Sequence, residues 1–205
     1  MADLTHRFDP VIEENYAFYL QGIRDFAREN PLPQELAVEI GSNRGLFLSR
    51  LARAWPERFH LGIEWRMKYV RWGNELLEEE GIENALLLQA DANLALPILC
   101  DDGQIADLFV LFPDPWWKKK HRKRRIIQPE FLDLLAKKIR PQGTLWIRTD
   151  VGSLADDMME IVDAHPEFEH IPWDQMPREP FPRTTREEKI LRKRLPVHTL
   201  YYRRR

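Results

Sequence analysis

Residues 107–125 read DLFVLFPDPWWKKKHRKRR. The run from Leu108 to Phe112 is apolar, rich in β-formers and bounded by turn residues, the pattern of a buried strand. Pro113 and Pro115 stop it, because neither donates a ladder hydrogen bond and each restricts the residue before it. Asp114 is therefore expected on a stiff turn at the carboxyl end of a strand, followed at once by Trp116 and Trp117. Lys118 to Arg125 then places seven Lys or Arg in eight residues, interrupted only by His121. A carboxylate, two indole rings and a cationic run at a strand end suit a nucleotide base and its phosphates, and open α/β sheets bind ligands at that edge. A charge run alone is usually a solvated face, and a basic octamer also matches targeting or heparin-binding patches. The Asp-Pro-Trp-Trp just upstream decides for the ligand reading, since paired Trp before such a run would otherwise waste apolar surface.

Upstream, strand and helix patterns alternate. Residues 1–35 are expected to form a helical extension, with a helix from Val11 to Arg28 closed by Pro31 and Pro33. Leu36 to Ile40 reads as a strand, Gly41-Ser-Asn-Arg-Gly45 as a tight turn and Leu46 to Trp55 as a helix. The residue before the turn region is acidic (Glu39), and the later glycine of a full G-x-G-x-x-G is missing. A pyrophosphate cradle, and with it a nicotinamide-dependent oxidoreductase, is disfavoured; a smaller cationic ligand fits better. His60 to Glu64 is the second strand. Glu64 stands where ribose hydroxyls are bound in such folds, its bland alternative being a cap for the helix Trp65 to Glu80, a role Glu fills poorly. Ala85 to Ala90 is a third strand, followed by Asp91-Ala92. Asp91 either caps the next helix or accepts from an adenine amine, and the neighbouring strand-end carboxylates favour the ligand role.

Downstream, Pro129 is placed at the first position of a helix running to Ile139. Pro141-Gln-Gly143 is expected to turn the chain into a strand, Thr144 to Thr149, that ends at Asp150. Capping the helix Gly152 to Ala164 and binding a ligand are equal readings for Asp150. Residues 171–188 read as Pro-rich and irregular, and His198 to Tyr202 as a closing strand pairing antiparallel at the other edge. Five strand ends thus carry carboxylates: Glu39, Glu64, Asp91, Asp114 and Asp150. The expected fold class is α/β, a doubly wound and mostly parallel sheet, in a single domain 1–205 whose catalytic core is 36–205.

The composition is that of an ordinary soluble protein, 43% hydrophobic and 31% charged, with a formal net charge of −2. Acidic residues elsewhere balance the basic run, so cationic surface must be segregated. The single Cys100 excludes an intramolecular disulfide and a cysteine-built zinc site, and no metal is expected. No apolar run approaches membrane-spanning length and the first residues do not read as a signal peptide, so the expectation is a cytoplasmic protein without membrane contact.

Taken together, these residues resemble the bacterial tRNA (guanine-N7-)-methyltransferases, which use S-adenosylmethionine. The motifs are EIG-x-x-x-G at Glu39 to Gly45, GIE at Gly62 to Glu64, Asp91-Ala92, and FPDPW-x-K with its basic tail at Phe112 to Arg125. Thr149-Asp150 and T-x-x-E-x-K at Thr184 to Lys189 complete them. The likeness covers nearly all of the chain from Leu36 onward, and FPDPW before a basic run is its most specific part. It implies a seven-stranded sheet of the Rossmann-like class I methyltransferase type. It implies that Glu39, Gly41, Glu64, Asp91, Ala92 and Asp114 line the cofactor site, and that Lys118, Asp150, Thr184 and Glu187 meet the tRNA. Asp114 is the expected catalytic residue, and the basic run Lys118 to Arg125 the expected tRNA contact. Two positions depart from the pattern. Asn43 stands at the usual middle glycine of the first motif, which restricts the turn's approach to the cofactor. Arg192 to Leu195 replaces a glycine after the last motif. The competing readings are a methyltransferase acting on another nucleobase amine and a non-catalytic RNA-binding protein on the same fold.

Overall fold

The computed structural model of the chain describes residues 13–175 and 182–205. Seven strands form one sheet in the order β3-β2-β1-β4-β5-β7-β6. The strands are β1 Leu36–Ile40, β2 Phe59–Glu64, β3 Ala85–Gln89, β4 Ile105–Leu111, β5 Ile139–Thr149, β6 Phe168–His170 and β7 His198–Arg204. The first five are mutually parallel, while β7 runs antiparallel to β5 and β6 antiparallel to β7. Five parallel strands put all five carboxyl ends on one edge. The chain order reverses between β1 and β4, the place where open α/β sheets bind ligands.

The helices are α1 Glu13–Glu29, α2 Leu46–Ala54, α3 Met67–Glu79, α4 Ala92–Leu99, α5 Pro129–Lys138, α6 Gly152–Asp163 and α7 Thr185–Arg192. Alternate residues of β1 and β4 separate two cores, as the period of two requires. Val38, Leu108, Val110 and Ile147 face a large cluster that also buries Ile23 of α1, Leu96 of α4, Phe131 of α5 and Met158 of α6. Ala37, Phe109 and Trp146 point the other way, onto Phe47 and Leu51 of α2 and Tyr201 of β7. On that second face Phe47 meets Phe109 edge-on at 5.4 Å and Trp146 meets Tyr201 at 4.0 Å. The N-terminal α1 rests on α4, with Tyr19 and Phe26 packed on the larger core.

Three expectations are corrected. The closing strand β7 does not sit at the edge: β6, a strand of three residues, covers it. Pro141-Gln-Gly143 does not separate two elements, since β5 is continuous from Ile139 to Thr149. The extra residues bulge out between the pairs Ile105↔Ile139 and Asp107↔Thr144, with Gln142 at φ 64°. Within 171–188, expected to be irregular, helix α7 begins at Thr185. The start of the predicted first helix, Val11, lies outside the described residues.

Candidate active site

The β1–α2 turn is built by two glycines with different tasks. Gly41 takes φ 78°, its N–H donates to the Ile63 carbonyl at 2.8 Å, and the space a Cβ would occupy is open. Gly45 takes φ 71° against Leu87 and Gly73, where a Cβ would meet atoms at 3.0–3.3 Å. Between them Asn43 holds φ 49°, a left-handed conformation that Asn adopts more readily than most residues. Its N–H donates to Glu64 Oε2 at 2.9 Å, so this departure from the usual glycine is accommodated within the turn.

Glu64, at the end of β2, also accepts from the Arg66 N–H at 2.9 Å. Two backbone donors fix the carboxylate and leave each oxygen further lone-pair capacity. Glu64 thus holds the entry to α3 but does not occupy its cap position, which belongs to Arg66. Glu39 is buried at 4% exposure, with Oε2 unpartnered, and the hydroxyl of Ser42 is likewise buried and unpartnered. Burial first, and then the negative charge of Glu64, push the Glu39 carboxyl up to about 8. Asp91 caps α4, accepting from the Asn93 N–H at 2.9 Å, while its own N–H donates to the Tyr19 hydroxyl at 2.6 Å. Ala92 is the buried first residue of α4.

The β4 end differs in kind. Asp114 is exposed, and among the described residues its carboxylate has no hydrogen-bond or ion-pair partner. Its turn is strained on both sides: Phe112 takes φ 53° and Trp116 φ 45°. A bulky residue at positive φ costs on the order of 1–3 kcal/mol, so surrounding contacts must impose it. The Phe112 N–H donates to the Arg148 carbonyl at 2.7 Å, and Arg125 Nε donates to the Pro115 carbonyl at 2.9 Å. Arg125 also pairs with Asp157 of α6, tying the turn to the helix layer.

Lys118 is exposed and opens a short 3₁₀ helix, Lys119–Arg124. The two indoles divide their work. Trp116 is occupied internally, with His121 edge-on at 5.8 Å and Arg124 over its ring at 5.1 Å. Trp117 is 68% exposed and free to stack on a base. Arg125 is the reverse of a solvated cation, its side chain only 11% exposed.

Asp150 does not cap α6, whose cap residue is Val151. Its carboxylate instead takes two hydrogen bonds from Arg186 Nη2, both at 2.9 Å. Thr184 caps α7 by accepting from the Glu187 N–H at 3.0 Å. Glu187, 7% exposed, pairs with Arg148 of β5 at 2.9 Å. The structure therefore brings Thr184, Glu187 and Asp150 together through arginines on β5 and α7, and Arg50 of α2 adds a pair with Glu188. Sequence reasoning missed Arg148 and Arg186; the capping-box form of Thr184-Thr-Arg-Glu187 is a signal that could have found the helix carrying Arg186.

This edge fits S-adenosylmethionine. Glu39, with a buried unpartnered oxygen, and Ser42, with a buried unpartnered hydroxyl, are polar groups that a bound cationic ligand can satisfy. Gly41 opens the turn, and Glu64 presents remaining lone pairs. A cleft of about 1220 Å³ lies elsewhere, between α5 and α6, and no strand-end carboxylate named above lines it. Among the described residues no group of His, Cys, Asp and Glu is arranged to hold a metal ion, and no helix is long and apolar enough to cross a membrane.

Residues 33–200 match the model of a protein family described as "Putative methyltransferase". A protein of a Synechococcus strain named tRNA (guanine-N(7)-)-methyltransferase is 35% identical over 179 residues, covering 85% of this chain and 73% of the relative. Relatives of the same name from Alkalilimnicola ehrlichii and Microcystis aeruginosa are each 37% identical, over 89% and 84% of this chain and 76% and 84% of their own. Among solved structures, a SAM-dependent methyltransferase from Aquifex aeolicus superposes with a TM-score of 0.58 at 15% identity, over 97% of this chain and 100% of the other. An rRNA methylase from Streptococcus thermophilus does so with 0.54 at 15%, over 91% and 96%. These two show the fold, and the sequence relatives show the family: the chain belongs to the tRNA (guanine-N(7)-)-methyltransferases.

Proposed function

We propose that this chain transfers a methyl group from S-adenosylmethionine to N7 of a guanine in tRNA, in the variable loop, with Asp114 as the catalytic residue. Bound S-adenosylmethionine supplies an electrophilic methyl group on a sulfonium. Glu64 takes the ribose hydroxyls, Asp91 and Ala92 border the adenine, and Glu39, reached past Gly41, gives up its proton as the cation arrives and so supplies negative charge beside it. Guanine N7 carries an in-plane lone pair, so the chain need supply no general base. What it supplies is position and field. Methylation leaves the guanine ring cationic, and a carboxylate accepting from guanine N1–H and its exocyclic amine favours that charge as it develops. Asp114 is free to do this, and Trp117 beside it is free to stack, an interaction worth about 1–3 kcal/mol per base. Asp150, Thr184, Glu187 and Lys118 border the same edge on the tRNA side, and the exposed lysines of the basic run reach phosphates. Such a reaction belongs in the cytoplasm, where tRNA is modified.

The observation that carries this reading is an unpartnered carboxylate between two strained residues at the switch point of the sheet. Its test is Asp114→Asn, which keeps the size but replaces an acceptor with a donor facing guanine's own donors. With both substrates saturating, kcat is expected to fall roughly 100-fold or more while tRNA affinity and melting temperature change little. Near-normal turnover by the folded variant would remove Asp114 from catalysis.

A further inference from the structure

Many arginines of this molecule face a carboxylate, Arg50, Arg53, Arg58, Arg148 and Arg186 among them. A cationic group on the β2 side of the cofactor edge does not. Arg44 of the β1–α2 turn and Arg66, Lys68 and Arg71 at the start of α3 are exposed, and among the described residues none has an ion-pair partner. Three of them lie against aromatic rings instead. Arg44 is 4.5 Å and Lys68 4.4 Å from the Trp72 ring centre, and Arg66 is 5.4 Å from that of Tyr69. Trp65 and Met67 stand out beside them at 58% and 46% exposure. Glu75 and Glu79 of α3 line a small cleft together with Arg44 and Trp72, and neither forms an ion pair with a cation of this group.

The position of the group is informative. The turn follows β1 and α3 follows β2, so both start at the edge that carries Glu39, Glu64 and Asp114. The basic run follows β4, two strands away from β2, or roughly 10 Å at ordinary strand spacing. The cofactor edge therefore has a cationic flank on each side, one after β4 and one after β2. Lys68, Arg71 and Trp72 share a helix face at spacings of three and four. Cations held over rings, with an exposed indole among them, form a surface suited to a phosphate backbone and unpaired bases.

We propose that Arg44, Lys68 and Arg71, backed by Tyr69 and Trp72, form a second tRNA-binding surface, so that the substrate straddles the cofactor edge. The inference rests on tRNA being the substrate, and the experiment separates the two. Affinity for full-length tRNA is measured against salt for the wild type and for three variants: R44Q/K68Q/R71Q, K68Q/R71Q (which leaves the turn untouched) and K119Q/K120Q in the basic run. Calorimetry measures S-adenosylmethionine affinity for each. Removing one cation that binds a phosphate flattens the log–log slope by about one, so the slope is expected to drop by about 2–3 in the triple variant and about 1–2 in the double, with cofactor affinity within about twofold. At about 0.15 M salt the triple variant is expected to bind tRNA roughly tenfold more weakly. An unchanged slope in the α3 variants beside a flattened one in K119Q/K120Q overturns the second surface and leaves tRNA as substrate. Unchanged slopes in all three overturn both. A fall in cofactor affinity with the slope intact assigns the group to the cofactor and also overturns the proposal.

Discussion

At the end of β1 a carboxyl group is folded away from water with one oxygen unpartnered, and this arrangement has a cost that depends on pH. Glu39 is buried at 4% exposure, and burial together with Glu64 pushes its carboxyl from 4.5 up to about 8. A carboxyl whose folded pKa is raised contributes stability that is fully present below the unfolded value and lost as pH rises through the folded one. The window therefore runs from about pH 4.5 to about 8, and across it the fold loses a few kcal/mol because the unfolded chain ionises the group freely while the fold holds it protonated. Glu39→Gln keeps the shape and stays neutral. Its thermal unfolding should match the wild type near about pH 5, and the variant should be more stable by roughly 2–4 kcal/mol near about pH 9. His60, whose buried ring is pushed below its ordinary range, is present in both proteins and cancels in the difference. Parallel stability curves across this range would show that Glu39 is already satisfied. Retaining an uncompensated acid in the core is what a cation-binding site requires, and the same substitution should weaken S-adenosylmethionine binding. At this scale the sequence revealed the acids but not their partners. Glu39, Glu64 and Asp114 were legible because each ends a strand. That Arg186 takes Asp150, and Arg148 takes Glu187, was not, since those pairs span 36 and 39 residues and depend on how α7 lands.

The elements divide into those announced by a period and those announced only by an end signal. The five parallel strands and α2, α3, α5 and α6 were all legible from apolar patterning, with bounds shifted by a few residues. The strand β6 was not, because three residues, Phe-Glu-His, carry no alternation to read. Helix α7 was hidden by its polarity, TREEKILR, and by the prolines before it, although Thr184 caps it as its sequence allows. The basic run shows a further limit: charge alone does not separate cations that hold the fold from cations that meet a ligand. Arg125, bonded to Pro115 and Asp157, holds the strained turn around Asp114, whereas Lys119 and Lys120 are exposed. Arg125→Ala leaves Asp157 with only the longer Arg122 pair at 3.7 Å and the Pro115 carbonyl without its donor, and should cost about 1–3 kcal/mol in chemical denaturation. Lys119→Ala and Lys120→Ala should leave stability within about 0.5 kcal/mol. Equal stability of Arg125→Ala and the wild type would place Arg125 with the solvated cations of the run.

Over the whole molecule, one sheet edge gathers the ends of five parallel strands, the β1–α2 turn, the Asp114 turn and α7. Helical crossovers link the five parallel strands, and the antiparallel β7 and β6 close the β5 side. That gathering was legible in advance, since strand ends of a parallel sheet share an edge whatever the details of packing. The position of α1 on α4, with Tyr19 reaching Asp91, was not, because a single amphipathic helix does not specify which face it covers. The central claim for the molecule is chemical: the in-plane lone pair at N7 of guanine is the nucleophile, and the strand-end carboxylates stabilise the charge that results. It is tested most directly with a tRNA transcribed with 7-deazaguanosine, in which N7 becomes a C–H while the Watson–Crick edge proposed to meet Asp114 is unchanged. The account predicts that this tRNA binds within about threefold of the ordinary transcript yet accepts no methyl group from S-adenosylmethionine, while the ordinary transcript yields 7-methylguanosine on nuclease digestion and mass spectrometry. Methyl transfer to the deaza-substituted tRNA at a rate near that of the ordinary transcript would contradict it.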